Sequence, residues 1–308
     1  AVDVNGKPVY ALYKGIENNK VLKFEYTVKE RDSAEPLDYV SADSLKLLDG
    51  TTVTGKATDS GASVVPAALF LPTPGESGSL ASRGIFIDTE KPYVKQITAD
   101  VGEGAYKAGT VIKISAQFNE NISGRAKILL NSREKTANNY VQMANSVTDT
   151  DTLEFIYTVK DGDNTEALDI FAPFYAYSES VTVKDVAGNE MDFNNFPQNS
   201  ESGSLASLKI KVDTTAPQIK GVYVSDVSTK PYSDGKHYLN TGKTVTLEAE
   251  FSEAIMLGSN QPYLVLNALN GGSNVQAQYK SGAGTSILSF VYTVVNGDNS
   301  AADLACTA

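Results

Sequence analysis

Along much of the chain apolar and polar residues alternate singly, as in Val111-Ile-Lys-Ile-Ser-Ala-Gln-Phe118, Leu153-Glu-Phe-Ile-Tyr-Thr-Val159, Val181-Thr-Val183 and Val245-Thr-Leu-Glu-Ala-Glu-Phe251. A period of two puts one set of side chains on one face of a pleated strand, and the Val, Ile, Thr, Tyr and Phe content suits a half-buried sheet. Clusters of Gly, Asn, Asp and Ser punctuate these runs at Asp161-Gly-Asp-Asn164, Ala187-Gly-Asn189 and Asn270-Gly-Gly-Ser273. No stretch sustains a helical period. The pattern predicts an all-β protein of antiparallel two-sheet sandwiches, each of roughly seven or more strands.

The pattern also repeats. Leu22-Lys-Phe-Glu-Tyr-Thr-Val-Lys29 returns as Leu153-Glu-Phe-Ile-Tyr-Thr-Val-Lys160 and as Leu288-Ser-Phe-Val-Tyr-Thr-Val-Val295. Glu76-Ser-Gly-Ser-Leu-Ala-Ser82 recurs letter for letter at Glu201–Ser207, leading each time to Asp-Thr-x-x-Pro, at Asp88–Pro92 and Asp213–Pro217. Ala116-Gln-Phe-Asn-Glu-Asn-Ile122 is matched by Ala249-Glu-Phe-Ser-Glu-Ala-Ile255. A period of roughly 125 to 135 residues follows. Cutting at the Asp-Thr-x-x-Pro segments divides the chain into 1–87, 88–212 and 213–308. The middle unit is complete; the first lacks its early strands and the third its late ones. Proline fixes φ and holds its predecessor extended, so each joint should be short and stiff, with the units stacked as a rod.

Composition narrows the chemistry. Lys and Arg number 26 and Asp and Glu 37, for a net charge of −11, which argues against a nucleic-acid partner. With one His (His237), one Cys (Cys306) and no Trp, a multi-histidine zinc site, a cysteine cluster or an intrachain disulfide cannot be assembled. No apolar run of the roughly 18 residues that a spanning helix needs is present. Cys306 reads as a small buried residue of an intact domain, and His237 as a histidine without a ligand role.

In this order, Phe-x-Glu-x-Ile, Phe-x-Tyr-Thr-Val with Gly-Asp-Asn, Asp185-Val-Ala-Gly-Asn189, Gly-Ser-Leu-Ala-Ser and Val-Asp-Thr-Thr-Ala-Pro resemble the bacterial Ig-like, cadherin-like repeats of large extracellular adhesins and S-layer-associated proteins. The resemblance covers nearly the whole chain. It implies an extracellular or cell-surface array of sandwiches, often hardened by Ca²⁺ near the joints. The first unit departs from the pattern, with Lys29-Glu-Arg-Asp32 in place of Gly-Asp-Asn and Asp59-Ser-Gly61 in place of the Asp-Val-Ala-Gly-Asn turn.

Ca²⁺ takes six to eight oxygen ligands, so the recurring carboxylates are the candidate metal ligands. They are Asp88 and Asp213 at the joints, Glu120 and Glu253 at strand ends, and Asp161, Asp163, Asp185 and Asp298 in turns. Asp88 or Asp213 is placed to meet Glu120 or Glu253 beside a loop carboxylate. The alternative is that Asp and Asn cap their own turns with no metal. No twelve-residue EF-hand loop is present. Because the acids recur with the repeat, they read as structural, and no catalytic residue is expected. Phe171-Ala-Pro-Phe-Tyr-Ala-Tyr177 reads as packing, or else as a glycan platform.

Three functions stay open at this point: a structural stalk or S-layer array, an adhesin module binding a cell-wall or host glycan or protein, and a filament subunit whose copies exchange strands head to tail. The partners are accordingly neighbouring repeats, copies of the chain itself, or such a surface ligand.

Overall fold

The structure is a computed structural model, and it describes residues 2–55, 64–134, 139–176, 178, 182–300 and 302–307. The chain is all-β, built from short and mostly antiparallel strands. It divides into two compact units, Ala1–Thr214 and Thr215–Ala308. The expected boundary at 212/213 lies beside that division, whereas residues 1–87 and 88–212 share one unit. Among the described residues no helix is long and apolar enough to cross a membrane.

The first segment holds β1 (Val2–Val4), β2 (Lys7–Val9), β3 (Leu12–Glu17), β4 (Val21–Glu25) and β5 (Asp38–Tyr39). These form a small sheet of order β2-β1-β5 and a separate β3-β4 hairpin. The middle segment is fuller, with β6 (Val94–Ala99), β7 (Gly104–Tyr106), β8 (Val111–Gly124), β9 (Ala126–Leu130), β10 (Tyr140–Gln142), β11 (Val147–Thr158), β12 (Asn164–Thr165), β13 (Ile170–Ala176), β14 (Val183–Lys184) and β15 (Ile210–Asp213). One sheet runs β11-β8-β14 with β6 also on β8, a second runs β10-β9-β13, and a third runs β12-β15-β7 with β15 parallel to β7. Of the expected strand 181–183, Val181 lies outside the described residues.

The alternation in β8 buries Ile112, Ile114, Ala116 and Phe118, and β11 answers with Leu153, Phe155 and Tyr157. Ile128 and Leu130 of β9 and Ile170 and Phe174 of β13 close the same core from the second sheet. The aromatic stretch is therefore partly core: Phe174 packs edge-on against Phe155 at 6.1 Å and Phe196 at 4.8 Å. Phe171 is half in solvent at 38 %, and Tyr177 lies outside the described residues.

The second unit is a five-stranded sheet of order β16-β17-β20-β19-β18, with β16 (Ile219–Val227), β17 (Thr244–Phe251), β18 (Tyr263–Asn270), β19 (Ser273–Ser281) and β20 (Ile287–Thr293). Val245, Leu247, Leu266, Ala277, Leu288, Phe290 and Tyr292 form its core. Cys306, read as buried in an intact domain, has its backbone bridged to Leu266 and its side chain exposed. His237 is exposed too, and its Nδ1 donates to the Thr229 carbonyl at 2.7 Å.

Phe155→Ala should destabilise the first unit by about 3–5 kcal/mol, since its ring is fully buried among packed aromatics, whereas Phe171→Ala should cost less than about 1 kcal/mol. Urea unfolding followed by tyrosine fluorescence compares the two; equal losses would contradict the two-sided core.

Candidate metal centre

The centre is assembled from three separate chain segments. Asp88 follows Ile87, whose backbone bridges Ala34 at the end of the first repeat, Glu120 sits in β8, and Asp185 follows β14. One carboxylate oxygen from each lies within 4.8 Å of the other two. Asp185 is buried and the other two are half-buried.

Local structure explains each placement. The β8–β11 pairing is interrupted between Gln117 and Ile122, so Asn119 and Glu120 fall in a bulge, where side chains are re-aimed. Asn119 Oδ1 accepts from the Tyr93 amide at 2.8 Å, tying this bulge to the chain just after the joint, and its Nδ2 donates to Glu120 at 3.1 Å. Asp185 is positioned by β14, whose Val183 pairs with Gly124. A Cβ on Gly124 would meet the Thr182 carbonyl at 2.0 Å, and φ there is +133°, so this approach requires glycine. Asn189 completes the clamp. Its amide and Nδ2 donate to the two Asp185 oxygens at 2.8 and 2.7 Å, and Nδ2 also reaches the Asp88 carbonyl at 3.1 Å. The Asp-Val-Ala-Gly-Asn turn thus holds the end of the preceding repeat.

Among the described residues, no Lys or Arg forms an ion pair with any of the three acids. The contrast with the next joint is instructive. Asp213 has Lys211 at 3.4 Å, two residues earlier on the same strand, and the residue at the corresponding place before Asp88 is Phe86. Burial, the Asp88 charge, and more weakly those of Asp185 and Glu90 push the Glu120 carboxyl above its ordinary range, although the Asn119 amide opposes them. The donor set is wholly oxygen and suits a hard cation such as Ca²⁺, whose charge would remove the repulsion. An open cleft of about 1030 Å³, lined among others by Asn5, Ala34, Phe86, Asp88, Glu120 and Val186, lies beside it.

The other expected ligands lie elsewhere. Asp161 is exposed in its turn, Asp213 is engaged by Lys211, and Glu253 is half-buried in the second unit. Asp163 and Asp298 belong to a different device. Tyr157 OH and the Lys160 amide both donate to Asp163 Oδ2, at 2.7 and 2.8 Å. Tyr292 OH and the Val295 amide do the same to Asp298 Oδ2, at 2.6 and 2.7 Å. Asp163 also holds Arg133 through both of its oxygens.

The first repeat carries the same latch, which the sequence reading missed. Tyr26 OH and the Lys29 amide both donate to Asp32 Oδ2. The signal was available as a tyrosine followed six residues later by aspartate in all three repeats. The departure expected at Lys29-Glu-Arg-Asp32 therefore leaves the aspartate in place: Ser33 stands for the Asn, and Arg31 takes φ +70° where Gly162 and Gly297 take +88° and +95°. The other expected departure, Asp59-Ser-Gly61, lies outside the described residues. Each latch whose following joint lies in the same unit is tied to it: Thr89 Oγ1 donates to the Asp32 carbonyl and Thr214 Oγ1 to that of Asp163, both at 3.0 Å.

No family model matches the chain, and comparison with curated proteins returns no relative.

Burial opposes ionisation of Asp163, but Arg133, the Lys160 amide and Tyr157 outweigh it and hold the carboxyl below its usual 3.8. A depressed carboxyl stabilises the fold above the unfolded value and loses that contribution as pH falls through the folded one. Asp163→Asn should cost about 1–3 kcal/mol at neutral pH and flatten the loss of stability below about pH 4, as read from urea midpoints. Arg31→Gly should raise stability by about 0.5–1 kcal/mol by relieving the left-handed arginine; a loss would contradict its equivalence with Gly162.

Proposed function

We propose that this chain is a non-catalytic structural segment of a bacterial extracellular surface array, made of Ig-like repeats and stiffened by Ca²⁺ at the joint around Asp88. The observation that carries the reading is the meeting of Asp88, from the joint, with Glu120 and Asp185 of the following repeat. Three acids with no basic partner repel one another, and a divalent ion would turn that repulsion into a cross-link between the repeats. Asp88, Glu120 and Asp185 would supply carboxylate oxygens, with backbone carbonyls and water completing the shell.

The repetition supports a mechanical role. Each latch is built from a strand and a turn that recur, and in the first two repeats the joint that follows is fastened by threonine to the latch before it. Such a design transmits load from one repeat to the next through hydrogen bonds and packed strands. The acidic net charge of −11 keeps such an array soluble and suits a cation-rich exterior.

Isothermal titration of the chelator-treated chain with Ca²⁺ should show saturable binding, and free Ca²⁺ at about 100 times Kd should stabilise the first unit by about 2.7 kcal/mol. The carboxyl of Glu120 is raised, so its charged form costs stability above its folded pKa and the cost fades as pH falls through it. Glu120→Gln should therefore melt higher than the parent in chelator at neutral pH and lose most of the Ca²⁺ response. Melting unchanged by chelation would overturn the cation-stiffened joint.

A further inference from the structure

The outer face of the sheet β10-β9-β13 carries a group of side chains that neither the acidic centre nor the latch uses. Strand β9 turns Ala126, Ile128 and Leu130 into the core, so Lys127 and Leu129 point the other way. Tyr140 of β10 stands opposite Leu129 on one side of β9; on the other, Phe171 stands opposite Leu129 and Tyr175 opposite Lys127. Cross-strand partners share a face, so these aromatics gather outside the sheet. Leu129 is buried there although it lies outside the core cluster.

Tyr140 and Tyr175 meet on this face, although β10 and β13 pair with β9 and not with each other. Their ring centroids lie 4.8 Å apart and their planes cross at 72°. That spacing is at the near end of the range in which aromatic rings pack edge to face. The Lys127 ammonium stands over the Tyr140 ring at 4.7 Å and helps to fix it. The hydroxyls engage each other as well: burial, then the charge of Tyr175 and a hydrogen bond with it, raise the Tyr140 hydroxyl above its ordinary range. Both side chains are half-buried, within reach of an electron acceptor at the surface yet not free to swing apart.

We propose that Tyr140 and Tyr175 are the site of an oxidative cross-link, a carbon–carbon bond between the two rings at positions ortho to their hydroxyls. The oxidant is a peroxide, acting through a haem peroxidase that accepts phenols. Each tyrosine gives up one electron and its phenolic proton, leaving a neutral phenoxyl radical with spin on its ortho carbons. The two radicals pair to form the bond. The proton on each newly bonded carbon then leaves as the ring regains aromaticity, and each oxygen is reprotonated. In sum two hydrogen atoms leave the protein and one hydrogen peroxide becomes two waters.

The geometry favours this pair. Two rings joined by such a bond stand only slightly closer than 4.8 Å and are likewise twisted out of a common plane, and hydroxyls bonded to each other bring ortho carbons together. A second tyrosine pair, Tyr232 with Tyr238, lies 5.9 Å apart with both side chains largely in solvent. Mobile phenols couple with whatever radical they meet, whereas phenols held in place couple with each other, because fixed orientation acts as a high effective concentration. The bond ties β10 to β13 over β9 and closes the chain between Tyr140 and Tyr175 into a loop, which removes conformational freedom from the unfolded state.

The full chain, dilute and without added Ca²⁺, is treated with a haem peroxidase and hydrogen peroxide. Dityrosine fluorescence should appear, and mass spectrometry of a digest should find the peptides carrying Tyr140 and Tyr175 joined with the loss of two hydrogens. At micromolar protein this link should form about a hundredfold or more faster than links between chains, and its yield should be unchanged on further dilution. Tyr140→Phe and Tyr175→Phe should each remove most of the fluorescence, and Tyr232→Phe should leave the link intact. All three variants keep their rings, so they are expected to fold, and circular dichroism checks it. The linked chain should also melt above the unlinked one. Links formed mainly between chains or at Tyr232 and Tyr238, oxidation of Tyr140 and Tyr175 without a bond between them, or fluorescence indifferent to Tyr140→Phe would each overturn the assignment.

Discussion

A single hydrogen bond organises this protein: a tyrosine hydroxyl on a core strand donates to the aspartate six residues further on. The same aspartate oxygen accepts the amide at the start of the turn, so one carboxylate closes the turn and anchors it to the core at once. Burial of the tyrosine ring makes the bond hard to exchange for water. Burial, with the neighbouring carboxylate, lifts the Tyr157 hydroxyl far above its ordinary range, so it stays a donor at any physiological pH. In the first two repeats the carbonyl of the latch aspartate then accepts a threonine hydroxyl from the joint. The position of Asp88 is thus set by contacts that run from Tyr26 through Asp32 to Thr89.

That fixed position gives the joint its electrostatic character. Asp88 is delivered to a place where Glu120, held by the β8 bulge, and Asp185, held by its Asx turn, already stand. A flexible joint would let the charges separate in water. Here Asn189 ties the Asp88 carbonyl to the Asp185 turn, and the Asp192 amide donates to the Pro92 carbonyl at 3.0 Å, so separation would break several bonds. Phe86 matters to this balance as well. Where the second joint has Lys211 to offset Asp213, the first has an apolar ring at the corresponding place.

Much of this was legible in the sequence. Single alternation gave the strands and the all-β class, because a two-residue period is imposed by the pleat itself. The meeting of a joint acid with a strand-end glutamate beside a turn acid was also expected, since repeat order brings those ends together. What alternation cannot show is what a carboxylate is bonded to. Asp163 and Asp298 sit in turns as acidic as that of Asp185, yet they answer to a buried tyrosine, and the decisive clue is a spacing of six rather than any residue type. Asp32 was overlooked for the opposite reason: the glycine before it is replaced by Arg31, and the missing glycine concealed an intact latch. The sequence did not show that residues 1–87 and 88–212 share one unit, because contacts between the first two repeats depend on Asn189 reaching the Asp88 carbonyl and the Asp192 amide reaching Pro92.

Burial at equivalent positions shows a further limit on reading structure from a repeat. Ile85 and Ile210 occupy the same place after the same Gly-Ser-Leu-Ala-Ser segment, and each lends its carbonyl to the same kind of leucine amide. One is 44 % exposed and the other is not exposed at all, because Ile210 has β7 alongside and, among the described residues, Ile85 has no such strand. The side chain and its backbone are the same; the difference lies in who supplies the neighbour. In a sandwich repeat, therefore, local sequence determines which residues are fit to be buried, and the supply of strands determines whether they are.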